Sequence, residues 1–226
     1  MILITGASRG IGKFLFDKFE EFGEKVYGTY YQTPPPADKE EYFSKVDVRD
    51  IDSINNWLSN IDTLSDITLI NCAGNNYAAF AHKSDNENWK EVIDVNLTGT
   101  FNVISKVLPF MRTQNYGRII NLSSVVAQIH TPGASAYAAS KSGLWGMVKS
   151  IAVENSKFNI TINNLNLGYY DIGMITEVTE EYQEMIKKKI PKHEFGNPEN
   201  ILKAIKFLRE SDYTNGTSID MNGGLY

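Results

Sequence analysis

Tyr137 and Lys141 stand four residues apart in the run Tyr137-Ala138-Ala139-Ser140-Lys141, a spacing that puts both side chains on one face of a helix. A phenol has an ordinary pKa of about 10 and exchanges protons poorly at neutral pH, and a nearby ammonium favours its phenolate. The pair therefore suits a general acid aimed at an oxygen that gains negative charge. Taken alone, it also suits an amphipathic helix in which the Tyr packs and the Lys is solvated. Ser124 precedes Tyr137 by 13 residues, beside the carboxyl end of an apolar run, and its hydroxyl can donate to a carbonyl oxygen as charge develops there. Ser123 offers the same chemistry one position earlier. Asn96 falls inside a helical pattern where its propensity is poor. Its amide can hold a water linking Lys141 to solvent, or it can simply bend or pack the helix.

A second constellation is Thr5-Gly6-Ala7-Ser8-Arg9-Gly10-Ile11-Gly12. Glycines there let the backbone turn tightly and approach a pyrophosphate lying on a helix N-terminus. The spacing Gly-x-x-x-Gly-x-Gly differs from Gly-x-Gly-x-x-Gly, and an ordinary strand-to-helix turn could use it too. Its position after the first strand favours a ligand, because parallel sheets bind ligands at the carboxyl ends of their strands.

The elements that must carry these groups alternate throughout. Ile2 to Thr5 reads as a buried strand, and Ile11, Phe14, Leu15, Phe19 and Phe22 follow at helical spacing until Gly23. Further strands are predicted at 25–30, 42–46, 67–71, 118–122, 160–165 and 217–221, with helices over about 51–61, 87–111, 136–157 and 198–210. Three consecutive prolines, Pro34 to Pro36, exclude regular helix between the second and third strands. A polar, lysine-bearing stretch over 176–192 breaks the regularity; Lys187-Lys188-Lys189 reads there as a solvated helix face or part of a substrate lid. The pattern predicts one α/β domain over 1–226, a doubly wound parallel sheet of about seven strands with helices on both faces.

Several of these motifs, in order, resemble the short-chain dehydrogenase/reductase family. The match comprises Thr5-Gly6-x-x-x-Gly10-Ile11-Gly12, then Asn71-Cys72-Ala73-Gly74, Asn96, Ser124, Tyr137-x-x-x-Lys141, and Asp220-Met221-Asn222-Gly223-Gly224 near the C-terminus. The stretch from Gly117 to Leu144 is most similar to the 3-oxoacyl-acyl-carrier-protein reductases of that family. The resemblance implies a catalytic set of Asn96, Ser124, Tyr137 and Lys141, its spacing selecting Ser124 over Ser123. It further implies cofactor contacts from Gly6, Ser8, Arg9, Gly10, Ile11, Gly12, Asp47, Val48, Asn71, Ala73, Gly74, Tyr137, Lys141, Gly168 and Tyr170. The expected reaction is hydride transfer between NADP(H) and a carbonyl or secondary alcohol. NADP(H) is expected over NAD(H), because the second strand ends in Thr29-Tyr30-Tyr31 without a carboxylate for the ribose 2′-OH, while Arg9 can fork a 2′-phosphate. NAD(H) remains possible. A carbonyl or acyl-thioester is the implied substrate, and pairing through the helices of Asn96 and Tyr137 implies a homodimer or homotetramer. A carrier-free reductase of a small carbonyl compound or keto-sugar is the alternative, and a non-catalytic dinucleotide sensor is an alternative of another class. Two departures stand out: Leu167 precedes Gly168 where the family has proline, and Ile172 replaces a threonine.

Composition sets the outer limits. The chain has 226 residues, 42% of them hydrophobic, with a formal net charge of −5, which argues against a dedicated nucleic-acid or anionic-membrane binder. Arg112-Thr113-Gln114-Asn115 and Lys157-Phe158-Asn159 are expected to flank the pocket mouth, where an acidic carrier protein would demand a basic rim. The single cysteine, Cys72, excludes an intramolecular disulfide and is expected to pack under the adenine pocket. His82, His130 and His193 are scattered, so no metal site is expected; His130 is placed to touch substrate. Trp57, Trp89 and Trp145 read as core or interface. The N-terminus has neither a basic start nor an apolar run of signal-peptide length, and a cytoplasmic location is expected.

Overall fold

Seven strands form one sheet in a computed structural model that describes residues 1–225. They are β1 (Ile2–Thr5), β2 (Val26–Tyr30), β3 (Phe43–Lys45), β4 (Thr68–Asn71), β5 (Gly117–Ser124), β6 (Ile160–Leu167) and β7 (Ser218–Met221). All pairings are parallel, in the order β3-β2-β1-β4-β5-β6-β7. The helices are α1 (Gly10–Glu21), α2 (Ile51–Ser59), α3 (Asn86–Ile93), α4 (Thr100–Gln114), α5 (Ser135–Asn155), α6 (Glu180–Lys189) and α7 (Glu199–Glu210). Alternate strand residues feed opposite faces. Leu3, Leu69, Ile119 and Ile162 meet Ile54, Trp57, Val103, Ile104, Val148 and Ile151 on the α2/α4/α5 side. Ile4, Ile70, Ile120 and Leu165 meet Leu15, Phe16, Phe19, Ile201 and Ile205 on the α1/α7 side. Among the described residues, no helix is long and apolar enough to cross a membrane.

Strand order reverses between β1 and β4, so the chain departs in opposite directions from two neighbouring strand ends. A crevice opens there, outside the carboxyl edge. The glycine-rich turn after β1 and the Cys72-Ala73-Gly74 segment after β4 form its two lips. The link from β2 to β3 carries only a 3₁₀ stretch, Ala37–Tyr42, after the prolines, as their missing N–H groups require.

Two boundaries differ from the sequence reading in ways that matter. β5 runs to Ser124, two residues beyond the apolar core of the run, because Ser123 and Ser124 pair with Asn166 and Leu167 of an equally extended β6. The helical pattern over 87–111 is three pieces, α3, a π-helical turn at Asp94–Gly99 and α4. Asn96 lies in that π turn, the kind of local widening that often marks functional sites.

Parallel strands buried on both faces usually read as continuous apolar runs, yet here a file of amides crosses the sheet. The register aligns Asn71, Asn121, Asn164 and Ser218 on four successive strands. Asn71 Nδ2 donates to Asn121 Oδ1 at 2.8 Å, Asn121 Nδ2 to Asn164 Oδ1 at 3.1 Å, and Asn164 Nδ2 to Ser218 Oγ at 3.0 Å. Each Nδ2 of the file is satisfied by its neighbour, while Asn71 Oδ1 at its end has no partner among the described residues.

Arg112–Asn115 and Lys157–Asn159 do not flank the cleft of their own protomer. Asn115 and Asn159 take left-handed conformations just before β5 and β6, at the amino-terminal edge of the sheet. At about 3.3 Å per residue, the eight residues of β5 put them some 20 Å from Ser124. Arg112 there donates to Asn155 Oδ1 at 3.0 Å and covers the Phe158 ring at 4.1 Å.

The asparagine file makes Asn121 its pivot. Asn121→Leu is expected to strand a donor on Asn71 and an acceptor on Asn164, lowering stability by about 2–6 kcal/mol at roughly 1–3 kcal/mol per orphaned group. Urea denaturation midpoints at constant m-value read this directly.

Candidate active site

The glycine-rich turn is clasped from both sides. Thr5 Oγ1 accepts from the backbone N–H groups of Cys72 at 3.2 Å and Ala73 at 3.1 Å, tying the turn to the β4 end. From the β2 side, Ala7 N donates to Thr29 O at 2.7 Å and Gly6 N to Thr29 Oγ1 at 3.2 Å. Gly6 has φ +65°, and a Cβ on it would lie 2.8 Å from Ala73 Cα. A Cβ on Gly12 would lie 2.2 Å from the Gly6 carbonyl oxygen, so helix and turn touch backbone to backbone. That leaves a side-chain-free cradle at the N-terminus of α1, the form a pyrophosphate requires. Ser8, Arg9, Gly10 and Ile11 face outward along it with partial or full exposure.

Across the crevice the four candidate chemical residues come together. Asn96 is fully buried; its Oδ1 accepts from Asn75 N at 2.9 Å, and its Nδ2 donates to Asn75 O at 2.9 Å and to Ser140 Oγ at 3.2 Å. Both amide hydrogens are thus used, so Asn96 pins the Gly74-Asn75 segment to α5 rather than holding a water through its N–H groups. Its Oδ1 borders the open side of Gly74, where an added Cβ would come within 3.2 Å of it and 3.9 Å of Lys141 Nζ. Asn75, which the sequence reading passed over, also carries a buried Oδ1 without a protein partner on this wall.

Ser123 and Ser124 separate by strand alternation. Ser123 Oγ is turned to the Lys141 carbonyl at 3.3 Å inside the protein. Ser124 Oγ accepts from Val126 N at 3.2 Å and stands close enough to the Tyr137 phenol to draw its pKa down. Geometry therefore places Ser124, not Ser123, beside Tyr137.

Lys141 is buried and donates from Nζ to the Leu122 carbonyl at 2.7 Å, with its ammonium 5.6 Å from the Tyr137 ring centroid. Loss of water pushes its pKa down to about 8. The half-buried Tyr137 phenol is pushed up to about 12, first by loss of water, with Ser124 opposing and Tyr169 adding. The sequence reading had Lys141 lowering the Tyr137 pKa, but here the ammonium is turned to Leu122 and the downward pull comes from Ser124.

Several other expected contact residues also have partners within the protein. Both Asp47 carboxylate oxygens accept from the Arg49 guanidinium, at 2.7 to 3.2 Å, and Arg49 also reaches Tyr31 Oη at 3.3 Å. Arg49 holds the Asp47 carboxyl below its ordinary range. Val48 is buried against Gly99, which could not carry a Cβ past it. Asn71 belongs to the asparagine file. Gly168 packs on Asn222, where a Cβ would lie 2.7 Å from Cα. The Tyr170 phenol is buried and donates to Met221 O at 3.1 Å, and its carbonyl accepts from Ile172 N at 2.7 Å. Cys72 packs on the α1/α7 side, near enough to feel the Lys141 charge, and burial pushes its thiol up to about 12, so it is no nucleophile. His130 lines an apolar cleft of about 390 Å³ with Ala79, Ala81, Ile129, Pro132 and Ala138.

Residues 1–183 match the short chain dehydrogenase family. The chain belongs to that family. It is 36% identical to the 3-oxoacyl-[acyl-carrier-protein] reductase of Rickettsia bellii, over 99% of this chain and 95% of that one. It is 33% identical to the acetoacetyl-CoA reductase of Rhizobium meliloti, over 99% and 97%. A crystal structure of the 3-oxoacyl-[acyl-carrier protein] reductase of Brucella melitensis superposes with a TM-score of 0.91 at 30% identity, covering 100% of this chain and 90% of that one. Short chain dehydrogenases are oxidoreductases that bind a nicotinamide dinucleotide, and the Gly6/Gly12 cradle and the unpartnered Asn75 Oδ1 fit such a group.

The depressed Lys141 pKa carries a signed consequence. The folded state disfavours the ammonium, so the stability cost is full below pH 8 and relieved as pH rises from about 8 toward the ordinary lysine value of 10.5. Lys141→Met is therefore expected to raise Tm at pH 7, with the gain shrinking between pH 8 and 10.5. Thermal melts of both proteins across that range measure it.

Proposed function

We propose that the chain is an NADP(H)-dependent reductase of 3-oxoacyl thioesters, with Tyr137 as general acid. The observation that carries the reading is the geometry around Tyr137. Its phenol, protonated at neutral pH as an ordinary phenol is, stands beside Ser124, with the Lys141 ammonium 5.6 Å from its ring centroid. A site already loaded with a proton is prepared to give one to a carbonyl oxygen. Ser124 Oγ orients that oxygen and donates to it as charge develops. Lys141 binds the ribose hydroxyls of the cofactor through its remaining N–H groups and supplies positive charge near Tyr137. Asn96 keeps the Asn71–Asn75 wall and α5 at a fixed separation. The nicotinamide, when bound, supplies the hydride to the carbonyl carbon. The sum is one hydride and one proton added across C=O, giving a secondary alcohol.

Gly6, Ser8, Gly10, Ile11 and Gly12 would hold the pyrophosphate, Asp47 and Val48 the adenine, Ala73 and Gly74 the ribose side of the crevice, and Arg9 the 2′-phosphate. No carboxylate stands at the end of β2 to reject that phosphate. The small apolar lining of Ala79, Ala81 and Ala138 suits a short acyl chain. The names of both thioester-reducing relatives support the same substrate class. The exposed Phe101 and Phe110 on α4 and Val153 on α5 support pairing of protomers through those helices.

Tyr137→Phe removes the proton and little volume. It is expected to lower kcat by at least about 10²-fold while the NADPH dissociation constant changes little; retention of a tenth of wild-type kcat refutes the assignment. A second measurement identifies the thioester. Comparing kcat/KM for acetoacetyl-carrier protein and acetoacetyl-CoA at low and high salt should show a carrier preference that fades with ionic strength. Equal values at low salt assign a carrier-free reductase instead.

A further inference from the structure

The segment after β6 folds back onto the glycine-rich turn. Its 3₁₀ turn, Gly173–Glu177, brings Gly173 (φ +78°) so near Gly10 that a Cβ on Gly10 would lie 3.2 Å from Gly173 Cα. At the end of that turn Glu177 Oε1 accepts from Arg9 Nη1 at 3.0 Å, across 168 residues of sequence. The segment beyond is packed on a small apolar cluster of its own. Ile175, Ile186 and Ile190 meet Tyr169, Val178 and Phe195, apart from the two large cores. Glu177 and Arg9 thus form a tie between a weakly anchored flap and the phosphate-binding turn.

We infer that Glu177 is a specificity-determining residue that competes with the cofactor's 2′-phosphate for Arg9. NADP(H), and not NAD(H), then has to unfasten the Gly173–Glu177 turn. The inference rests on the reading of Arg9 as the 2′-phosphate ligand. A ribose 2′-phosphate carries close to two negative charges near neutral pH, as other phosphate monoesters do, and a guanidinium meets such a group best through two parallel N–H bonds. Either the phosphate displaces the Glu177 carboxylate, or the two anions share one guanidinium and repel. In both arrangements Glu177 weakens the 2′-phosphorylated cofactor and leaves a bare 2′-hydroxyl unaffected. Both side chains are more than half exposed, so the expected effect is modest, roughly two- to five-fold in affinity, as for exposed ion pairs.

The test is a titration of NADPH and NADH into wild type, Glu177→Gln, Arg9→Gln, the double variant, and Glu181→Gln as an exposed control on α6 without this contact. Glu177→Gln should tighten NADPH two- to five-fold and leave NADH unchanged. Glu181→Gln should change neither, and Glu177→Gln should have no effect once Arg9 is Gln. An unchanged NADPH constant in Glu177→Gln overturns the inference, as does an equal shift for NADH or an effect that survives in the Arg9→Gln background. If wild type binds both cofactors equally and Arg9→Gln changes neither, the Arg9 reading fails and the inference falls with it. A wild-type preference for NADPH that disappears in Arg9→Gln, with Glu177→Gln silent, refutes the inference alone.

Discussion

The ammonium of Lys141 is held out of water on the Leu122 carbonyl at 2.7 Å, and much of the structure is arranged to keep it there. A single neutral acceptor does not replace a hydration shell, so the group is driven toward neutrality, to a pKa of about 8. Such a position survives only where the surroundings leave no alternative. The length of α5 lies against β5 and β6, with Leu144, Val148 and Ile151 buried beneath it. Ser123 ties Lys141's own carbonyl to the sheet at 3.3 Å. Extending β5 through Ser124 places a serine hydroxyl at the strand's end and beside the next turn of α5, where Tyr137 stands.

The same constraint reaches Asn96 from the other side. Ser140, adjacent to Lys141, is one of the two acceptors for the Asn96 amide, and the Asn75 carbonyl is the other. For the amide to span them, the helix carrying it must open locally, and the π turn between α3 and α4 supplies that opening. A regular α-helix would rotate every following side chain relative to the preceding ones. Fixing α5, the α3–α4 segment and the β4 end through one amide explains how three loops at the carboxyl edge hold a common geometry. Below them the asparagine file stiffens β4 to β7 with hydrogen bonds that no neighbouring strand can slip without breaking.

The crevice therefore has a rigid wall and a looser cover. Thr5 and Thr29 lock the glycine-rich turn to both neighbouring strands. The Gly173–Glu177 turn and α6 rest on their own cluster and a solvent-exposed ion pair. Rigid backbone where charge must be stabilised, with weaker contacts where a ligand must enter, is the division of stability expected of a binding cleft. Charge is distributed in the same sense. The guanidinium of Arg49 is spent on Asp47 and Tyr31 beyond the ends of β2 and β3, while Arg9 is held only at the surface.

Local sequence determined the strand and helix alternation, the glycine-rich turn and the helical Tyr137/Lys141 spacing, since each depends on periodicity or on glycine within a few residues. It also determined features that need no tertiary information, such as the single cysteine, Cys72, and the proline run after β2. The family spacing selected Ser124 over Ser123, and the folded chain supplied the physical reason by placing it beside Tyr137. Strand alternation gives both hydroxyls equal standing until β6 pairs through Asn166 and Leu167 and extends the strand. It alone decided that the Asn96 amide is consumed by Asn75 and Ser140, that Arg49 occupies Asp47, and that Lys141 faces Leu122 rather than Tyr137. It also sent Arg112 and Lys157 to the far edge of the sheet, because a helix returning from a parallel strand ends at the opposite end from the one where it began. Apart from Arg49 on Asp47, these are contacts between residues far apart in the chain. Desolvation and hydrogen-bond partnership, which set what such groups can do, exist only once the chain has closed around them.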